Sequence, residues 1–122
     1  MKCLFSYLIL SILIVSCSKI EVNNDPVIGI WKNEVKSASN SNNMVIDKEE
    51  WIFNDVYLGR FHGYRNGEVT FLTDFRWSYD GRVYTISYPG TDFPEDTVKI
   101  KNEEDITYLS RLSGKPFAIR QN

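Results

Sequence analysis

Residues 68–88 read Glu-Val-Thr-Phe-Leu-Thr-Asp-Phe-Arg-Trp-Ser-Tyr, then Asp80-Gly81, then Arg-Val-Tyr-Thr-Ile-Ser-Tyr. In the first arm Val69, Phe71, Thr73, Phe75, Trp77 and Tyr79 share one side, while Glu68, Thr70, Asp74, Arg76 and Ser78 take the other, with Leu72 the only misfit. Strict alternation of this kind marks a half-buried strand. Asp80-Gly81 is a strong two-residue hairpin signal, because a type I′ turn needs positive φ at both central positions. Pairing outward from that turn sets Tyr79 against Arg82, Trp77 against Tyr84, Phe75 against Ile86 and Thr73 against Tyr88. The large residues of both arms then lie on one face, so turn type and alternation agree on a register.

The same alternation extends along the chain. Strands are expected over 27–35, 45–53, 57–64, the two arms of the hairpin, 97–101, 106–109 and 117–120, separated by turn-forming residues and a Ser/Asn-rich loop over 36–43. No window keeps a 3.6-residue period. About eight short strands in sequence argue for an all-β fold, a small antiparallel up-and-down β-barrel, which also removes the exposed edges of an open meander.

The N-terminus has a different character. Lys2 precedes an apolar core from Leu4 to Val15, broken only by the small hydroxyls Ser6 and Ser11, and the segment ends in Ile14-Val15-Ser16-Cys17. A dozen apolar residues are too few to cross a bilayer core of about 30 Å as a helix, so a cleaved signal peptide over 1–16 is expected. The ending resembles the lipobox of bacterial lipoproteins, and the resemblance implies that Cys17 becomes an acylated N-terminus. Residues 17–26 are then a polar tether and 27–122 the barrel domain. Each buried CH₂ contributes about 0.8 kcal/mol, so two or more chains suffice to hold such a domain on a membrane. Ser18 after the cysteine resembles the outer-membrane sorting pattern of these lipoproteins.

Without residues 1–16 the chain has 106 residues, with 13 Lys+Arg against 16 Asp+Glu. That acidic balance, with no basic run, gives no reason to propose nucleic acid as a partner. Cys3 lies in the signal, so with Cys17 acylated the domain has no thiol for a disulfide, a zinc-thiolate site or a nucleophile. The rings of Phe, Tyr and Trp are the expected source of stability.

Gly29-Ile30-Trp31 on the first strand resembles the Gly-x-Trp signature of lipocalins, and Arg120 falls where that family places an arginine across the tryptophan. With the lipobox, the chain resembles small bacterial lipocalin-like lipoproteins of the calycin group, although it is shorter than classical members and lacks their disulfide. The resemblance implies a barrel closed at one end by Gly29, Trp31 and Arg120.

Candidate chemistry is sparse. His62 is the sole histidine and has no acidic cluster beside it at metal-ligand spacing, so neither a metal nor another cofactor is expected. The turn at Arg65-Asn66-Gly67 decides which way His62 faces. A two-residue turn puts Arg60 and His62 inside; a three-residue turn ending in a glycine bulge puts Phe61 inside and His62 outside. The second is expected, since it buries rings rather than a guanidinium. The acidic runs Glu49-Glu50 and Glu103-Glu104-Asp105 point to opposite faces of a strand or lie in a turn, and do not converge as acid/base catalysis requires. Two non-enzymatic functions follow. In one, the interior lined by Trp51, Phe53, Phe71, Phe75, Trp77 and Tyr84 accepts a small apolar ligand. In the other, loops or outer face hold or inhibit an envelope protein.

Overall fold

Strand after strand joins its sequence neighbour until the last meets the first. The computed structural model describes residues 23–38 and 44–122. The strands are β1 (Gly29–Ala38), β2 (Met44–Phe53), β3 (Leu58–Arg65), β4 (Glu68–Tyr79), β5 (Tyr84–Ser87), β6 (Asp96–Glu103), β7 (Ile106–Arg111) and β8 (Pro116–Arg120). They form a closed antiparallel barrel in the order β1 to β8, sealed by pairing of Trp31 with Arg120 and Lys32 with Ile119. The all-β, up-and-down architecture expected from the alternation is the one observed. An eight-stranded barrel has an interior that side chains alone can fill.

The hairpin that decides the fold turns Trp77 and Tyr84 to the same interior, with ring centroids 6.1 Å apart. Its register differs from the expected one: Tyr79 pairs with Tyr84 and Trp77 with Ile86. Asp80 is the reason. Its carboxylate accepts the amides of Arg82 and Val83, both at 2.8 Å, so the turn centres on Gly81-Arg82 rather than on Asp80-Gly81. Gly81 takes positive φ and Asp80 does not, so the turn is not type I′. Because the slip is two residues, every side chain keeps its face.

The β3–β4 connection also departs from expectation. Asn66 and Gly67 both have positive φ and form a two-residue turn, with Arg65 opposite Glu68. A bulge further in, between Gly63 and Tyr64, then shifts the ladder by one, so Phe61 opposes Thr73 and His62 opposes Leu72. Phe61 is therefore buried and His62 lies on the outer face, the outcome expected of the longer turn, reached by another device. Arg60 is exposed beside Asp74 at 3.3 Å, so Arg60 and His62 form no interior site.

Two other boundaries move. Lys36–Ala38, expected in a loop, continues β1, paired with Met44–Ile46. Residues 39–43, the signal segment and Cys17 lie outside the described residues. The stretch expected to be a tether belongs to the barrel from Asn23 onward: the Tyr84 hydroxyl donates to Asp25 Oδ1 at 2.6 Å, Val27 is fully buried, and Asn23 donates to the Asp55 carbonyl.

The core divides along the barrel axis. Toward the end where β1 begins, Phe53 packs edge-on against Phe75 (4.8 Å) and Trp77 (6.0 Å). Gly59 is obligatory there, since a Cβ would stand 2.1 Å from Phe75 Cζ and 2.4 Å from the Ile52 carbonyl. Trp31 closes this end, its indole N–H donating to the Val27 carbonyl at 2.8 Å. The Arg120 guanidinium lies 4.8 Å from the Trp31 ring and donates to the carbonyls of Pro26 and Ile28. Gly29, at φ +139°, turns the chain into the strand.

Candidate functional site

The opposite end carries the Asn66-Gly67 turn, the loop after Tyr88 and the turn over 112–115. Here the inner face of β2 changes character along its length: Phe53 and Trp51 are apolar, Glu49 and Asp47 are acidic. Alternation places all four inside, so the barrel has a ring-filled half and a polar mouth.

That mouth is a half-open cup of about 410 Å³, within the lower range of small-molecule sites. Its floor is Trp51, stacked at a tilt on Phe117 (4.4 Å) and Phe61 (5.2 Å). The bulge between Leu109 and Ser110 lets both Phe117 and Ala118 turn inward. One wall is the loop after β5. Thr91 fastens it by donating from its hydroxyl to the Tyr88 carbonyl at 2.8 Å and accepting the Phe93 amide at 3.2 Å, which sets Phe93 against Tyr88 and Phe71.

Above the rings stand Asn33, Glu49, Asp96, Arg111 and Lys115, from β1, β2, β6, β7 and the turn before β8. Asp96 and Arg111 are partnered. The Trp51 indole donates to the Tyr88 hydroxyl (3.0 Å), which donates to Asp96 Oδ2 (2.6 Å), while Arg111 donates to Asp96 Oδ1 (2.9 Å) and lies over the Phe117 ring (4.8 Å). Burial, and then the bond to Asp96, push the Tyr88 phenol well above its ordinary range. Glu49 differs. Among the described residues its carboxylate accepts no hydrogen bond and makes no ion pair. Burial and the nearby Asp96 raise its pKa, against a smaller opposing pull from Arg111.

The six residues expected to line a ligand cavity are divided by this arrangement. Phe53, Phe75, Trp77 and Tyr84 are packed into the closed half, Trp51 is the floor of the cup, and Phe71 is a rim residue, 38% exposed, resting on Phe93. Sequence reasoning missed Phe61, Tyr88, Phe93 and Phe117 as lining, and Glu49, Asp96 and Arg111 as a charged ring. Glu49 was accessible to it, since it shares parity with Trp51 and Phe53 on one strand.

On the outer wall, Glu50 bridges Lys32 Nζ (3.5 Å) and His62 Nδ1 (3.1 Å), and His62 Nδ1 also lies 3.1 Å from the Tyr64 hydroxyl. These are neighbours on one row of strands β1 to β3. No group of three or more His, Cys, Asp or Glu placed to hold a metal occurs among the described residues. No protein family, curated protein or solved structure matches this chain.

Proposed function

We propose that this chain is a non-enzymatic binding module that takes a small ligand at the open mouth of its barrel. The observation that carries the proposal is the asymmetry of the two ends. One is sealed by Trp31, Arg120 and Val27, whereas the other opens as a cup with an aromatic floor and a few convergent polar groups, the usual make-up of a small-molecule site. The apolar interior is occupied by the protein's own rings, so a ligand would rest on Trp51 rather than pass below it.

The proposal extends to location. With residues 1–16 removed and Cys17 acylated, five residues separate the anchor from Asn23 at the closed end. The six steps from Cys17 to Asn23 span at most about 22 Å when fully extended, so the sealed end would face the bilayer and the cup would face away from it. Intact mass of the protein extracted from membranes tests the anchor: loss of 1–16 and gain of acyl chains supports it, and a full-length unmodified chain refutes it. Native mass spectrometry of the same material tests for a small molecule that travels with the folded barrel.

A second reading has its own support. Ile106 and Ile119, each about half exposed, line an outer groove with Tyr108 and Pro116, a surface that would suit an envelope protein partner. Co-purification of a protein lost on Ile119→Asp, with cup residues intact, would favour it.

A further inference from the structure

The charges of the mouth are not equivalent, and the difference points to a ligand class. Asp96 is held by Tyr88 and Arg111, and Asp47 by Arg65 at 2.9 Å. Arg111 is neutralised by Asp96, and Lys115 is exposed, so water solvates its charge. Glu49 alone is half-buried, charged and unpaired among the described residues. An exposed cation without a partner costs little, whereas a carboxylate taken out of water is relieved only by a proton, a donor or a positive charge.

Space and surface beside Glu49 favour the last of these. Its row across the inner face runs Asn33, Glu49, Gly63, Phe71, and Gly63 contributes no side chain to it. A Cβ at Gly63 would be in ordinary contact with Phe71, Thr70 and Phe61 at 3.6 to 3.8 Å, so the room for a ligand is that of the cup itself, about 410 Å³, which Glu49 lines together with Trp51, Phe61 and Phe117. In the next row inward lie Trp51 and Phe61, whose ring faces attract cations. The site already holds one such contact, the Arg111 guanidinium over Phe117.

We infer that the mouth binds an organic cation, an ammonium group on a small apolar body, with the charge against Glu49 and the body on Trp51, Phe61 and Phe117. The inference rests on the reading of the cup as a binding site and adds the ligand's charge.

The test titrates the full chain in detergent with three probes of one shape: 2-phenylethylamine, 2-phenylethanol and phenylacetate. The readouts are the Trp51 indole N–H resonance, for place, and the dissociation constants. The amine is expected to bind at least about tenfold tighter than the alcohol, and Glu49→Gln to remove that advantage while the alcohol's affinity is kept. If the alcohol or phenylacetate shifts Trp51 with equal or higher affinity, the cation assignment is overturned and the cup stands. If no probe shifts Trp51 at all, the cup itself is overturned, and the inference with it. Glu49→Gln replaces an unpaired carboxylate by a neutral isostere, so folding is retained, and an unchanged closed-end Trp31 indole resonance checks this.

Discussion

Arg120 and Trp31, on the last and first strands, meet with the guanidinium carbon 4.8 Å over the indole ring, and the guanidinium also ties down the Pro26 and Ile28 carbonyls. One side chain thus closes the β1–β8 seam and fastens the segment that seals the barrel floor. Arg120→Ala removes a part-buried cation–π contact and two charge-assisted hydrogen bonds, so it should lower stability by about 2–4 kcal/mol. Arg120→Lys should recover only part, since an ammonium cannot span both carbonyls and the ring. Urea unfolding of both variants checks this.

Gly59 allows the Phe75 ring to lie against the backbone of β3. Gly59→Ala places a methyl within 2.1 Å of the Phe75 ring, and should cost about 3 kcal/mol or more through overpacking. Shortening the ring in a Gly59→Ala/Phe75→Leu double variant should give a loss smaller than the sum of the single losses, because the two share one contact. Additive losses would show that the ring is not what forbids the methyl.

Alkaline pH should unfold the barrel by way of Tyr88. Its phenol is raised in the folded state by burial and by its bond to Asp96, whereas the unfolded chain ionises near the ordinary value of 10. Below that value the phenol is protonated in both states and its contribution is complete. As pH rises through it, the unfolded state loses the proton first, and stability falls by up to about 1.4 kcal/mol per pH unit. Tyr88→Phe should flatten that slope above pH 10, although Tyr84, raised chiefly by burial, leaves a residue of it.

Glu49 should show itself between its unfolded value near 4.5 and the higher folded one. The unfolded state releases this proton first, so the group's contribution turns unfavourable as pH rises through that window and stays so above it. Glu49→Gln should therefore raise the melting temperature at pH 7 and leave it unchanged at pH 3. A variant no more stable at pH 7 would mean that water or another donor already satisfies the carboxylate.

The faces of the strands were legible in the sequence, and their registers were not. Alternation along 69–79 set Phe75 and Trp77 inside whichever turn was used, because the Asp80 carboxylate moved the ladder by two residues and parity survived. The β3–β4 ladder shows the limit: a turn read one residue too long and an unforeseen bulge at Gly63 compensated, so Phe61 faces inward as expected for a different reason. The Arg120–Trp31 contact could be expected from a pattern of three residues. The cup could not, because alternation gives the side of the sheet and says nothing of height along the axis. Glu49, Asp96 and Arg111 come from β2, β6 and β7, and only closure of the barrel brings them to one rim.

The three tryptophans report on different depths, each with its indole N–H on a distinct acceptor: Trp31 on the Val27 carbonyl, Trp51 on the Tyr88 hydroxyl, Trp77 on the carbonyls of Asn54 and Leu58. The most direct measurement is therefore a nitrogen–proton correlation spectrum recorded while 2-phenylethylamine is added. A ligand held in the mouth moves the Trp51 indole signal and leaves those of Trp31 and Trp77 in place. Movement of Trp77 or Trp31 with Trp51 unmoved would put the ligand elsewhere and contradict the account.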